Sequence, residues 1–401
     1  MKFRRTTISV FVIALTLVMV SCNVDNSNAP TSKTAKTVLT KPGFNDQYII
    51  VLDDSKEANS LSYISLDVRA KLILSSNGIP SDNLIFVYDK VLNGFAAKMT
   101  LEQANKLAND PRVAYVEPDQ EVKLPIDMLE SVDMKNDQTQ TQTTPWGISY
   151  VGGYINSSNI SNVAWIIDTG VDLTHSDLNV ITSRCTTFVT SGQDARTAND
   201  LNGHGTHVAG TIAAKNNTIG VVGVAAGAGV VGVKVLNSSG SGTYSQIIAG
   251  VNYVARYGST GDVANMSLGG SASTSLDNAV YNCATNYGIY FSIAAGNSSA
   301  DANNYSPARV NGTGIYTVSA HNSSGVFASS SNYGNPPIDY SAPGVSIYST
   351  YKNGRYATMS GTSMAAPHVA GILLATGGNI TNRGYVSSDR DSNPDPLAYH
   401  N

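Results

Sequence analysis

Four side chains in this sequence have the chemistry to attack a carbonyl and stabilise what forms: Asp168, His204, Asn297 and Ser363. Ser363 stands in Gly361-Thr362-Ser363-Met364-Ala365-Ala366-Pro367-His368, a glycine turn leading into an alanine-rich apolar run from Ala365 to Thr376. That run predicts a buried helix, with Pro367 in its first turn, where a missing N–H costs least. Ser363 then lies at a helix N-terminus, beside free backbone N–H groups and the positive end of the dipole, which favour developing negative charge. An acyl-transfer nucleophile needs such surroundings. A lone serine there is more often only a helix cap, so its partners decide the matter.

Asp168 ends the apolar run Ala164-Trp165-Ile166-Ile167-Asp168, and a carboxylate at the carboxyl end of a parallel strand lies where open α/β sheets bind their ligands. His204 starts a helix within Asn202-Gly203-His204-Gly205-Thr206-His207-Val208-Ala209-Gly210, where the glycines permit close backbone approach. Asn297 closes another apolar strand, and its amide could donate to an oxyanion. A competing chemistry is metal-assisted hydrolysis, with His204 and His207 on one helix face and Asp172 and His175 as companions. No Glu follows either histidine as it would in His-Glu-x-x-His, which argues against it.

The elements that must position these groups are legible as a pattern. From Pro145 onward short apolar strands (Val163 to Asp168, Val230 to Leu236, Asp262 to Ser267, Gly288 to Ala295) alternate with helices beginning near Gly203, Ser245, Ser275 and Ser363. Continuous apolar strands alternating with helices predict an α/β fold, a doubly wound parallel sheet covered on both faces. A smaller unit precedes it at 47–123: a strand at Gln47 to Leu52, a helix within Glu57 to Asn77, strands at Asn83 to Val87 and Gly94 to Met99 around an Asn93-Gly94 turn, a helix at Leu101 to Ala108 and a strand at Val113 to Val116. The order β-α-β-β-α-β is that of a small α+β, ferredoxin-like sandwich. Residues 124–144 between the two units lose the pattern, become Gln- and Thr-rich, and predict an open processing linker. After Ser363 only a polar stretch, Gly377 to Asn401, follows the helix, and it predicts shortened or absent covering helices.

Of the 401 residues, 42% are apolar and only 13% charged, with a net charge of −4. A large core is affordable in composition, and nothing in the charge balance recommends nucleic acid as a partner. Residues 1–22 read as an export signal: Lys2, Arg4 and Arg5 precede the apolar run Ile8 to Val20, too short for a membrane span. The end of that run, Met19-Val20-Ser21-Cys22, resembles a bacterial lipoprotein box, which implies a lipid on Cys22; a plain cleaved signal is the alternative, and either exports the chain. Residues 23–46 form a polar tether. Three cysteines exist, so with Cys22 lipidated Cys185 and Cys283 are one disulfide or two unpaired thiols.

In the order Asp, His, Asn, Ser, each in its own local sequence, residues 145–375 resemble a subtilisin-like serine protease, most nearly the proteinase K-like subgroup. Ile167-Asp168-Thr169-Gly170-Val171, the 202–210 run and Gly361-Thr362-Ser363-Met364-Ala365 carry the resemblance, supported by Gly232-Val233-Lys234-Val235-Leu236, Ser267-Leu268-Gly269-Gly270 and the stretch from Ala300 to Ala308. Residues 47–123 are similar to the inhibitory propeptide of that family, through Gly94-Phe95-Ala96-Ala97 and Val113-Ala114-Tyr115-Val116-Glu117-Pro118.

The resemblance implies a peptidase domain over 145–401. Ser363 would be the nucleophile, His204 the base, Asp168 the group that orients and stabilises the imidazole, and Asn297 with the Ser363 N–H the oxyanion donors. His175, His207 and His368 would be structural. It further implies that protein or peptide substrates pair with two strand edges, Gly240, Gly242 and Tyr244 on one side and Ser267, Leu268, Gly269 and Gly270 on the other. No acidic residue is placed to demand Lys or Arg, so broad cleavage after apolar or aromatic residues is expected. The chemistry requires no cofactor, while a structural calcium ion held by Asp339 and loop carbonyls is implied. The chain's own propeptide is the implied inhibitor, and a membrane is a partner only through the N-terminal lipid. The localisation expected is an exported one, a cell-envelope lipoprotein precursor or a secreted protein. Two rivals are a catalytically inert surface-binding protein on the same scaffold, which predicts damage to one of the four motif residues, and a plain protease inhibitor, which leaves the second unit without purpose.

Overall fold

The computed structural model describes residues 38–401 except 54, 56–63, 126–127 and 134–140. The signal segment, Cys22 and most of the tether lie outside the described residues. Among the described residues no helix is long and apolar enough to cross a membrane.

The N-terminal unit contains β1 (Gln47–Leu52), α1 (Leu66–Ser76), β2 (Leu84–Tyr88), β3 (Gly94–Lys98), α2 (Leu101–Ala108) and β4 (Val113–Pro118). Its strands pair antiparallel in the order β2-β3-β1-β4. One sheet face packs Tyr48, Ile50, Phe95 and Ala97 against Ala70, Ile73, Leu74, Ala104 and Leu107 of the two helices. A capping box at Thr100 and Gln103 starts α2, a device worth about 1 kcal/mol. The turn between β2 and β3 is longer than the expected Asn93-Gly94 turn, running from Asp89 to Asn93. The extra residues reach the large domain: Lys90 and Val91 donate their N–H groups to Asn252, and Asp89 pairs with Arg256.

Two short strands follow, β5 (Glu121–Lys123) at the end of the small unit and β6 (Leu129–Asp133) within the 124–144 stretch where an unpatterned linker was expected. Each is short and pairs with the large domain rather than with its own neighbours, so no run of alternating apolar residues marks it. Residues 141–143 are also held, with Gln142 N–H on the Thr218 carbonyl and Thr143 N–H on that of Gly220.

The large domain contributes β7 (Val163–Asp168), α3 (His204–Ala213), β8 (Gly229–Lys234), β9 (Ser241–Thr243), α4 (Tyr244–Tyr257), β10 (Val263–Met266), α5 (Thr274–Tyr287), β11 (Tyr290–Ala294), β12 (Ile315–His321), β13 (Ile338–Pro343), β14 (Ile347–Tyr351), β15 (Arg355–Met359), α6 (Thr362–Thr376), β16 (Thr381–Tyr385) and β17 (Pro396–Tyr399). A sheet of ten strands runs β8-β7-β10-β11-β12-β13-β17-β16, with Thr186–Thr187 and Asn179–Val180 also paired to β8. All its pairs are parallel except β16 with β17. One apolar layer lies between the sheet and α3 plus α6, the other between the sheet and α4 plus α5. The chain leaves β7 for β8 on one side and returns to β10 on the other, so the strand order reverses beside the carboxyl end of β7, where such sheets open a ligand crevice.

Helix α6 is buried from Thr362 to Leu374, the pattern of a helix apolar all round. It begins at Thr362, so Pro367 lies beyond the first turn in which it was expected. Proline there removes the N–H that would bond the Ser363 carbonyl four residues back. The Ser267 hydroxyl donates to that carbonyl instead, at 2.8 Å.

The C-terminal stretch is ordered as a hairpin, β16 and β17, that prolongs the sheet, so its covering is a strand pair rather than a helix. Its pattern was hidden because β16 is an exposed edge of polar residues, while Val386 and Leu397 close a small cluster with Phe327. Within it Asp395 is 2% exposed. Burial first, then the nearby Asp389, Asp391 and Asp339, push it up to about 7 against the opposing Ser319 hydrogen bond. An unfolded aspartate titrates near 3.9. Between about pH 4 and 7 the folded chain therefore binds more protons than the unfolded one, and stability falls as pH rises. Asp395→Asn is expected to flatten the fall in Tm across that window, and parallel Tm curves for the two proteins would rule the effect out.

Candidate active site

Asp168 is the last residue of β7 and is fully buried. Its two carboxylate oxygens accept the His204 Nδ1–H at 2.8 and 2.9 Å, and Oδ1 also accepts the Thr169 N–H at 2.6 Å. A histidine whose Nδ1 donates to a carboxylate keeps Nε2 as the basic atom. That Nε2 is buried and has no hydrogen-bond partner among the described residues. A buried acceptor left unpaired is costly, and such costs concentrate where chemistry is done.

The loop before α3 sets this geometry. Gly203 has a φ of 114°, and a Cβ at Gly205 would lie 2.1 Å from the Gly170 carbonyl oxygen, so both positions require glycine. Asp200 gathers the loop. It accepts from the Thr169 hydroxyl, from Asn202 N–H and Gly203 N–H on one oxygen, and from Thr206 N–H and its hydroxyl on the other. Burial pushes the Asp200 carboxyl up and those hydrogen bonds pull it down. Lys234, paired in register with Asp168, is fully buried; its ammonium donates to the carbonyls of Thr169 and Asn199 and pairs with Asp194 at 2.7 Å. Sequence reading missed both roles. The available signal was an aspartate just ahead of a glycine-flanked helix start, a capping pattern.

Ser363 sits in the first turn of α6 and is 3% exposed. Its hydroxyl donates to the Ser267 carbonyl at 3.3 Å rather than to His204; a rotation about χ1 redirects a serine hydroxyl, and catalytic hydrogen bonds are often long or absent without substrate. Asn297 follows β11 and reaches the same helix start. Its Oδ1 accepts the Thr362 N–H at 2.9 Å and the Thr362 hydroxyl at 3.2 Å. With the oxygen tied to a backbone donor, the amide orientation is settled and Nδ2–H is the group turned towards the cleft, 4.0 Å from the Met128 sulfur.

A cavity of about 170 Å³ opens beside Ser363. Ser267, Leu268, Gly269 and Gly270 form one wall, Ala294 to Ser298 another, and Leu124 and Pro125 enter from the N-terminal side; among the described residues no Asp or Glu lines it. Gly240 precedes β9 and Gly242 is its central residue; β5 occupies the edge of β9 as an antiparallel strand with Val122 opposite Gly242 and Leu124 N–H on the Gly240 carbonyl at 3.0 Å. Tyr244 is buried beneath this pairing in one cluster with Val122 and Leu268, its hydroxyl donating to the Ser271 carbonyl. Gly270 pairs with Ser306 in a small sheet of its own.

The N-terminal unit meets the same surface through charge. Asp119 accepts the Ser245 N–H and Glu117 the Ser275 N–H and hydroxyl, so two of its carboxylates sit on the first turns of α4 and α5, where the dipole favours them.

The metal alternative does not fit. His207 Nε2 bonds the carbonyls of Ile347 and Ala357, Asp172 accepts from Thr174 and Gly354, and His175 Nε2 meets the Arg355 carbonyl. Among the described residues no group of three or more His, Cys, Asp or Glu is disposed to hold a metal. Burial brings His207 and His368 down to about 3, consistent with neutral structural histidines. Cys185 and Cys283 are both free thiols.

A parallel α/β sheet with Asp–His at its switch point, a serine on a helix N-terminus and a second unit laid over the cleft defines a serine hydrolase of the subtilisin type with an attached inhibitory domain. The chain belongs to the subtilase family, whose profile matches residues 163–377, and residues 47–125 match the peptidase inhibitor I9 family. It is therefore a subtilase-family serine protease, a hydrolase, carrying an inhibitory propeptide domain.

Among curated relatives it is similar to alkaline serine exoprotease A of Vibrio alginolyticus, with 40% identity over 334 residues, 82% of this chain and 59% of that protein; this chain thus spans less than two thirds of that relative. Proteinase R of Parengyodontium album is 34% identical over 384 residues, 89% of each chain. Among solved structures, a cold-adapted subtilisin-like serine proteinase superposes with a TM-score of 0.55 at 39% identity, covering 63% of this chain and 97% of that one.

Proposed function

We propose that the protein is an exported serine endopeptidase made as a precursor that cuts itself. Ser363 attacks the peptide carbonyl as His204 Nε2 takes its proton and later passes it to the leaving amine, while Asp168 holds the imidazole and stabilises its cation. Asn297 Nδ2–H and the Ser363 N–H take the oxyanion. The largely apolar cavity, with no Asp or Glu among its described lining residues, favours apolar or aromatic residues before the scissile bond. The observation that carries the reading is the course of the chain itself. Residues 121–124 lie along β9 as a substrate would, Pro125 lines the cavity with Ser363, and Met128 is seated beside Asn297.

The bond cut in maturation then falls between Pro125 and Met128. If Cys22 carries lipid, that cut leaves the lipid on the propeptide and frees the protease. Fractionating cells that express the native chain or Ser363→Ala tests this. The native chain is expected to give a soluble product whose N-terminal sequence starts after Pro125 and no later than Met128. The variant is expected to stay full length in the membrane pellet. A variant processed equally well without other proteases would refute self-cleavage.

Calcium is proposed only as a structural ion. Asp339 Oδ2 accepts the Thr317 N–H at 2.8 Å, and burial raises its carboxyl to about 7, so a cation there would offset a desolvated charge. The remaining ligands would be carbonyls and water. A chelator is expected to lower the Tm of the native protein and leave that of Asp339→Ala unchanged; equal responses would refute the site.

A further inference from the structure

Strand β6 lies on the opposite side of Ser363 from β5, just beyond the proposed cut, and self-cleavage by itself does not fix whether it leaves that position afterwards. Its residues pair antiparallel with β15: Leu129 opposite Met359, Ser131 opposite Thr358, Val132 opposite Ala357 and Asp133 opposite Tyr356. β14 covers the other edge of β15, so β6 fills the edge that would otherwise be open. β15 runs directly into Ser360 and the Gly361-Thr362-Ser363 turn, and Ser360 N–H bonds the Met128 carbonyl at 2.9 Å. A peptide on this edge is therefore in line with the scissile bond, on the leaving-group side.

The pairing is anchored by side chains as well as backbone. Glu130 accepts the Ser346 hydroxyl at 2.9 Å and the Ser360 hydroxyl, and Val132 packs on the large core cluster. A cut between Pro125 and Met128 severs this segment only at its front. Behind it, Gln142 and Thr143 stay fastened to the Thr218 and Gly220 carbonyls.

We propose that residues 128–133 remain on β15 after that cut, as a strap over the leaving-group side of the cleft. The newly cut enzyme then turns over substrates with a small leaving group freely and those with an extended peptide beyond the scissile bond more slowly. The inference rests on self-cleavage between Pro125 and Met128, as proposed above. Because the strap is tethered, its effective concentration is on the order of millimolar, enough to lower access about tenfold for a segment of modest affinity.

The test uses the self-processed whole chain and two substrates with the same apolar residues before the bond, one a nitroanilide and one continuing for several residues beyond it. Glu130→Lys removes the serine contacts, and Val132→Asp independently spoils the packing. Both variants are expected to raise kcat/KM for the extended peptide about tenfold relative to wild type, with the nitroanilide unchanged and mass spectrometry showing residues 128–133 still attached. An equal ratio of the two activities in all three proteins overturns the strap. A first cut beyond Asp133, or an enzyme that hydrolyses neither substrate, overturns the self-cleavage reading itself and the strap with it.

Discussion

Alanine in place of Ser363 is expected to lower kcat by roughly 10⁴–10⁶-fold with little change in KM. The hydroxyl oxygen is the only atom of that residue that could form the covalent bond to the substrate carbonyl, and no other described group is placed to replace it as nucleophile at the start of α6. Binding along β9 and the oxyanion donors would survive, which leaves a small residual rate rather than none. Because a precursor that cuts itself through Ser363 would not mature as this variant, the comparison is made on protein cut in trans by tagged native enzyme that is then removed. A loss of less than about tenfold would mean that the nucleophile lies elsewhere.

Asn297→Ala is expected to lower kcat about 10²–10³-fold, roughly 2.7–4 kcal/mol of transition-state stabilisation, again with KM nearly unchanged. The reason is geometric. Two bonds from Thr362 hold Oδ1, so the amide offers Nδ2–H to charge that exists only once the carbonyl has been attacked. Asn297→Asp keeps the acceptor for Thr362 but replaces the donor with a negative charge, and should be at least as poor. A variant that raises KM and leaves kcat intact would place Asn297 in ground-state binding instead.

Much of the fold was legible because its strands are buried on both faces and read as unbroken apolar runs. Val163–Asp168 matches its expected bounds, and the other three central strands are recovered within two residues at either end. The candidate site was legible where its residues sit at element ends flagged by glycine, as at His204 and Ser363. What sequence could not disclose is pairing at a distance. β5 and β6 borrow their partners from β9 and β15, more than a hundred residues away, and Glu130 and Asp133 make the second of them look like solvated linker. Asp200 and Lys234 were hidden for the same reason, since a buried charge declares itself only when its partners are seen around it. The Ser267 hydroxyl that stands in for the helical N–H missing at Pro367 likewise joins residues 96 positions apart, Ser267 and Ser363.

The central claim is that Ser363 is an activated nucleophile governed by His204. It is tested most directly by labelling the processed protein with a fluorophosphonate, which reacts with an activated serine hydroxyl, and mapping the modified residue by mass spectrometry. The account predicts one adduct, on Ser363, absent from Ser363→Ala and strongly reduced in His204→Ala. Labelling that survives Ser363→Ala, or that fails altogether in the processed protein, would contradict it.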